Sequence, residues 1–194
     1  METTRRRFFT FLATLPFFSR VKAAWHTPHM LEPTPACGDD EDPTPAQIEG
    51  PYFKPNSPER SSLRESGTKG TALIITGKVL TTRGEAVGKA LLDWWHADDA
   101  GDYDNKGYQL RGHQYTDAKG NFRLETIVPG LYPGRTRHLH VKVQAPGKSV
   151  LTTQLYFPEE SGNRRDGIFN QALIMKTNRV ADKVDAAFTF VVRV

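Results

Sequence analysis

Short apolar segments separated by turns recur along the chain from residue 71 onwards. The clearest is 137–144, where Leu139, Val141 and Val143 alternate with polar residues. Because successive side chains of a β-strand point to opposite faces, this period of two predicts a strand with one apolar face. Alternating or β-branched runs predict strands over the ranges 71–80, 90–96, 121–128, 137–144, 150–157 and 186–194.

Turns separate these segments, as at 82–85 and 117–120. Short strands at this spacing, punctuated by glycine and proline, are typical of a β-sandwich. Only 167–175 has a composition that favours a short helix. The fold predicted for 71–194 is therefore all-β, a single β-sandwich domain with few short helices.

Residues 25–70 precede the predicted strands and show neither the strand period nor the helix period. Their central part is rich in proline and acidic residues, which favours an extended conformation. We expect an extended N-terminal arm that packs over the sandwich rather than a separate domain. Cys37 is the one cysteine of the chain and lies in this arm, so an intramolecular disulfide is excluded.

The charge of the chain is concentrated at its beginning. The 194 residues carry a formal net charge of +4, with 26 Lys and Arg against 22 Asp and Glu. Five of the basic residues and one of the acidic residues lie within 1–24, so the remainder is neutral. A neutral body without a basic patch argues against a nucleic-acid partner.

Residues 1–24 have the three parts of an export signal: a basic start, an apolar stretch at 8–18, and small residues at Ala23 and Ala24. The segment TRRRFF at 4–9 resembles a bacterial twin-arginine signal, which a receptor reads as an address. The apolar stretch is shorter than the about 20 residues that span a bilayer, so no stable membrane anchor is expected. The sequence predicts export to the periplasm or the extracellular space.

Two histidines on one predicted strand are the first candidate metal ligands in the sequence. His138 and His140 are two residues apart in a predicted strand, so both point to the same side and lie close enough to share a metal ion. Imidazole binds iron, copper and zinc, so the two histidines alone do not determine which metal is bound. One reading is a zinc or copper site completed by a carboxylate such as Asp98 or Asp102. The other uses phenolates, for which Tyr132 and Tyr103 are the candidates.

An ordered set of motifs surrounds these residues. The segments are GPY at 50–52, DWWHAD at 93–98, GDY at 101–103, LRG at 110–112, TD at 116–117, GNF at 120–122, TIVP at 126–129, RTRHLH at 135–140 and LTTQLYF at 151–157. Together they resemble the intradiol ring-cleavage dioxygenases, the family of protocatechuate 3,4-dioxygenase and catechol 1,2-dioxygenase. The resemblance covers roughly 48–160, and 160–185 contains no pattern that maps onto the family.

The resemblance implies a mononuclear, non-haem Fe(III) held by two tyrosinates and two histidines. On this sequence the ligands are Tyr103, Tyr132, His138 and His140. It also implies an oxidoreductase that uses O2 to cut the ring of a catechol-type substrate between its two hydroxyl groups. The product is a cis,cis-muconate-type diacid that contains both oxygen atoms.

Further roles carry over from the family. Tyr132 matches the ligand that leaves when substrate binds and then accepts a substrate proton. Arg135 matches a catalytic arginine beside the reacting ring, and Gln154 matches a glutamine near the iron-bound hydroxide. Tyr52 either lines the substrate pocket or attaches the arm to the sandwich. The resemblance does not settle the choice of catechol, and it is compatible with a homo-oligomer.

The alternative interpretation is a binding module, a transthyretin-like β-sandwich that has the fold but no catalytic activity. Occupation of all four ligand positions favours the enzyme. Replacing Tyr132 by phenylalanine separates the two interpretations, because only an iron-binding enzyme would change its colour.

Overall fold

The computed structural model describes residues 41–194, so the predicted export signal, Cys37 and the first part of the arm lie outside the described residues. The described part contains eight strands and one short 3₁₀ helix, Gln171–Leu173. Within it, no helix is long and apolar enough to cross a bilayer. The strands are β1 (Ala72–Thr81), β2 (Leu91–Trp95), β3 (Arg111–Tyr115), β4 (Asn121–Ile127), β5 (His138–Gln144), β6 (Leu151–Tyr156), β7 (Lys176–Val180) and β8 (Lys183–Val192).

The strands form two four-stranded sheets with the orders β4–β1–β8–β7 and β3–β2–β5–β6. Strands β1 and β8 are parallel, and the other described pairs are antiparallel. The predicted all-β fold is confirmed, and six of the eight strands coincide with predicted ones, with ends displaced by at most three residues.

The apolar face of each sheet packs against the other to form one core. Strand β5 contributes Leu139, Val141 and Val143, as its alternation predicted, and β2 contributes Trp94. Each of these four side chains is fully buried, and such burial is the main favourable term in folding. The polar face of β5 therefore points away from the core, towards the arm.

The described part of the arm, 41–70, runs along the sheet edges without forming a regular strand of its own. Its backbone amides donate to edge strands: Gln47 to Thr152 of β6 at 2.8 Å and Leu63 to Glu125 of β4 at 2.8 Å. These bonds satisfy edge carbonyls that would otherwise be free to pair with another chain. The arm also covers the outer face of β5, where the two histidines lie.

The sequence analysis missed two strands and overestimated the length of one helix. Strand β3 has the sequence RGHQY, in which apolar and polar residues do not alternate, so the period of two is absent. Strand β7, KTNRV, is an exposed edge strand with no apolar face to detect. The short helix predicted within 167–175 is present but shorter: only Gln171–Leu173 is helical, and the chain is extended at Asn170 and again at Ile174.

Candidate metal centre

His138 and His140 lie side by side on the outer face of β5, with ring centroids 4.9 Å apart. The register of β5 places Tyr156 of β6 opposite His138 and Gln154 opposite His140. On the other side, Trp95 of β2 is the partner of His140. One face of three adjacent strands therefore carries both histidines and Gln154, together with Trp95 and Tyr156.

The His138 ring is fixed by one hydrogen bond. Its Nδ1 donates to the Thr136 carbonyl at 2.6 Å, so the lone pair of the neutral ring is on Nε2. Burial lowers the pKa of His138 to about 4, and the ring is therefore neutral at physiological pH. A neutral imidazole can bind a metal ion without first losing a proton.

The His140 ring is held by packing. It stacks on Trp95 with centroids 4.8 Å apart and planes at 9°, and a side chain at Gly50 would come within 3.5 Å of its Cε1. Burial lowers its pKa well below the usual value. Its Nδ1 is buried and has no hydrogen-bond partner among the described residues, so the ring is desolvated without compensation from a hydrogen bond.

Two loops bring Tyr103 and Tyr132 to the histidines. Tyr103 follows β2, and its Oη lies 3.4 Å from Nε2 of His138. Tyr132 lies in the loop before β5, with its ring edge-on to Tyr103 and the centroids 5.9 Å apart. Burial raises the pKa of Tyr103 above its ordinary value, an effect that Arg135 and Arg111 oppose. Without a cation beside it, the Tyr103 phenol therefore holds its proton.

Tyr52 of the arm completes an aromatic cluster. Its ring stacks on Tyr103 with centroids 4.4 Å apart, and its Oη lies 2.9 Å from that of Tyr132. The fully buried Arg111 connects the two segments, because it donates to the carbonyl of Tyr52 at 2.6 Å and to that of Asp104 at 3.1 Å. Both of the predicted uses of Tyr52 are compatible with this placement.

Arg135 and Gln154 lie together beside the cluster. Nη2 of Arg135 donates to Oε1 of Gln154 at 2.8 Å, and Nε2 of Gln154 donates to the Ile48 carbonyl at 3.0 Å. The orientation of the amide is thereby determined. Arg135 also forms an ion pair with Asp166, at 2.8 Å between Nε and Oδ2.

The donor set fits a hard, oxygen-preferring cation. A separation of 3.4 Å is long for a hydrogen bond, but it suits two ligand atoms on one ion with bonds of about 2.1 Å. Within residues 41–194, no third His, Asp, Glu or Cys side chain stands with the two histidines in a group that could hold a metal ion. The described residues therefore offer phenols, not the carboxylates Asp98 and Asp102, as the further ligands.

Sequence reasoning missed several neighbours of the site. Asp166 lies in a segment that shows no pattern, and Arg111 was noted only as part of a motif. Tyr156 was predictable from the sequence, since the period of two that places Gln154 on the outer face of β6 also places Tyr156 there.

Comparison with known proteins identifies the family. Residues 48–193 match a family model described as dioxygenase. The chain is 29% identical over 154 residues to catechol 1,2-dioxygenase of Candida albicans, covering 65% of this chain and 51% of that protein. It is 30% identical over 162 residues to hydroxyquinol 1,2-dioxygenase of a Rhizobium species, covering 69% of this chain and 55% of that protein. The chain thus spans about half the length of these curated relatives.

Solved structures agree with this match. The dioxygenase domain of a dioxygenase–carbohydrate-binding protein fusion from Streptomyces sp. SirexAA-E is 54% identical with a TM-score of 0.77, covering 79% of this chain and 99% of that one. The 3-chlorocatechol 1,2-dioxygenase of Rhodococcus opacus 1CP is 29% identical with a TM-score of 0.72, and the match covers 78% of this chain and 73% of that one. With the family model matching three quarters of its length, the chain belongs to the intradiol ring-cleavage dioxygenase family.

Proposed function

We propose that this chain is a mononuclear, non-haem Fe(III) dioxygenase. It uses O2 to cleave the ring of catechol-type aromatics between the two hydroxyl groups, giving cis,cis-muconate-type diacids. The observation that carries the proposal is the convergence of two buried, neutral imidazoles and two half-buried phenols, at His138, His140, Tyr103 and Tyr132. Names of relatives, among them catechol, hydroxyquinol and chlorocatechol 1,2-dioxygenases, support the catechol class of substrate.

Fe(III) suits the site because a trivalent cation can displace the proton of a buried phenol, and phenolate oxygen is a hard ligand. When bound, the ion would draw electron density from a coordinated catecholate and make the ring reactive towards O2. Tyr103, Tyr132, Nε2 of His138 and the ring of His140 would hold it. The two phenolates would offset most of its charge.

The two tyrosines have different surroundings, which supports different roles. Tyr103 is held under the Tyr52 ring, whereas Tyr132 is flanked by the exposed Leu131 and Pro133. We assign to Tyr132 the role of the exchangeable ligand, whose Oη would accept a substrate proton. The Oη of Tyr52, 2.9 Å away, can hydrogen-bond to Tyr132 in either protonation state.

Arg135 supplies fixed positive charge beside the cluster. Its guanidinium is oriented before substrate arrives, so it can stabilise negative charge that develops on the ring. Gln154 accepts from Arg135 and thereby holds that cation over the outer face of β5. We assign both residues to the catalytic machinery.

A visible absorption spectrum tests the proposal directly. Protein purified without added metal is expected to show a broad tyrosinate-to-iron(III) band that moves to longer wavelength with anaerobic catechol. Admission of isotopically labelled O2 is expected to place both labelled atoms in the diacid. Tyr132→Phe should shift or abolish the band, and Tyr115→Phe, which removes the hydroxyl of an exposed tyrosine away from the site, should leave it unchanged.

Three results would contradict the proposal. A protein that stays colourless after ferric reconstitution would support the inactive binding module. Zinc or copper as the bound metal would support the histidine–carboxylate site. Cleavage beside the hydroxyl pair, rather than between the hydroxyls, would contradict the intradiol reaction.

We also propose that the chain is exported by the twin-arginine route, on the basis of residues 1–24 alone. Replacing Arg5, Arg6 and Arg7 together by lysine is expected to retain the protein in the cytoplasm with its first residues uncleaved. Unchanged export of that variant would contradict the proposal.

A further inference from the structure

Asp166 lies in the loop between β6 and β7, and its carboxylate accepts three hydrogen bonds. Its Oδ2 accepts from Nε of Arg135 at 2.8 Å and from the Thr136 amide at 3.0 Å, and its Oδ1 accepts from the Ile168 amide at 3.1 Å. Its side chain is only 2% exposed. Two of the three donors are backbone amides, those of Thr136 and Ile168, so the carboxylate has little freedom to move.

Strand β6 contacts the Nη2 atom of Arg135, on the side of the guanidinium that does not face Asp166. Nη2 donates to Gln154 at 2.8 Å, and the Tyr156 hydroxyl lies 3.5 Å away. That hydroxyl donates to Oε1 of Gln47, in the arm, at 2.6 Å. Contacts from the 160–169 loop and from β6 therefore determine together where the cation stands.

The carboxylate is in its charged form. Burial by itself would raise the pKa of Asp166, but the hydrogen bonds from Thr136 and Arg135 outweigh burial and hold the pKa below its ordinary value. A charged, well-bonded carboxylate orients a guanidinium more strictly than a neutral acceptor does, since a charge-assisted bond is shorter and stronger.

We propose that Asp166 is a positioning residue, which orients Arg135 for the ring-cleavage reaction; this rests on the function proposed above. A long, flexible arginine side chain samples many rotamers when it is not held. A cation stabilises developing charge efficiently only if it is already in place, because reorientation during the reaction costs free energy. Asp166 removes that cost by restricting Arg135 to one orientation.

The chain offers a matched control in the same loop. Glu160 forms an ion pair with the neighbouring Arg137 at 2.7 Å, with side-chain exposures of 25% and 23%. The other end of Arg137 donates to the Pro129 carbonyl rather than to Gln154. Glu160→Gln therefore removes a comparable ion pair from the same loop without changing what holds Arg135.

The test is a double-mutant cycle on the iron-loaded enzyme, with iron content and the visible band measured for each variant. Asp166→Asn is expected to lower kcat by about 10- to 100-fold, with a smaller change in KM, at unchanged iron content. Because Asp166 acts through Arg135, the double variant Asp166→Asn/Arg135→Gln should be no slower than Arg135→Gln alone. Glu160→Gln should match the wild type.

Independent effects overturn the proposal: if Asp166→Asn slows the Arg135→Gln enzyme as much as it slows the wild type, Asp166 acts only through general stability. Unchanged kcat in an active Asp166→Asn enzyme overturns it as well. If Asp166→Asn does not fold, Asp166→Glu keeps the charge but displaces it, and should lower kcat without loss of iron. A wild type that binds iron but cleaves no catechol contradicts instead the proposed function.

Discussion

Gly101 lies where the loops that carry Tyr103 and Tyr132 meet. Its φ of +96° is in the region that glycine adopts freely, and a Cβ there would stand 2.3 Å from the Leu131 carbonyl oxygen. The amide of Gly101 also donates to Asp98 at 3.2 Å, which closes the turn before Tyr103. Absence of a side chain at this residue is thus what lets the two phenols approach each other.

Gly101→Ala is expected to separate the two tyrosines as well as to strain the backbone. We expect the free energy of unfolding to fall by about 2–4 kcal/mol. This is the combined cost of alanine in a left-handed conformation and of its overpacked contact with Leu131. The visible band should weaken because fewer molecules bind iron. Urea unfolding and iron analysis measure both effects.

Gly84→Ala is the control for Gly101→Ala. Gly84 also has a positive φ, +76°, but nothing lies within 4 Å of its Cβ position. This variant should lose about 1–2 kcal/mol and bind iron like the wild type. Equal effects of the two substitutions on iron content would show that the contact with Leu131 does not matter.

At the scale of the elements, β2 does more than supply Trp95 to the site. His96 follows β2 directly, and its Nε2 accepts from the Thr126 hydroxyl of β4 at 2.6 Å, while Nδ1 donates to the Ala97 carbonyl at 2.8 Å. The bond to Thr126 joins one sheet to the other, and it requires the neutral ring because Nε2 can accept only when it carries no proton. Burial lowers the pKa of His96 to about 4.

This shift predicts a pH dependence of stability. Between pH 6.5 and about 4 the unfolded chain binds a proton at His96 that the folded chain does not, so the free energy of unfolding falls as the pH is lowered. Compared with His96→Gln, the wild type should lose about 3 kcal/mol more over this window. Urea unfolding of metal-free protein at several pH values measures the difference, and parallel curves for the two proteins would contradict the prediction.

At the scale of the whole molecule, the site joins segments that are far apart in the chain. The arm supplies Tyr52, the loop after β2 supplies Tyr103, and the loop before β5 supplies Tyr132. Strand β5 provides both histidines. An ion bound to both loops and to β5 would stabilise the folded chain over the unfolded chain, in which these residues are not gathered.

Removal of the metal is therefore expected to lower the melting temperature. At an ion concentration 100 times Kd, binding stabilises the folded state by about 2.7 kcal/mol, which corresponds to roughly 5–10 °C for a chain of this size. Calorimetry before and after reduction and chelation measures the shift. His140→Ala should show no shift on iron addition, and an equal shift in that variant would place the stabilising ion elsewhere.

Much of the fold was predictable because its signal is local. Strand β5 alternates Leu139, Val141 and Val143 with polar residues, and every second residue is buried in the core, as expected. The failures occur where burial does not alternate. Strand β3, RGHQY, and strand β7, KTNRV, do not alternate apolar with polar residues, so neither strand carries a period of two.

For this protein, the sequence by itself determined the β-sandwich, the shared face of His138 and His140, and the resemblance that named the two tyrosines. These properties follow from the spacing of neighbouring residues and from motifs read in order. Only the tertiary structure decided that the arm buries the histidine face and that Asp166 forms an ion pair with Arg135. Asp166 contacts Arg135 from 31 residues away, and Gln47 contacts Tyr156 from 109 residues away. Pairs at such separations meet only when the sheets and the arm have packed, so no periodicity in the sequence records them.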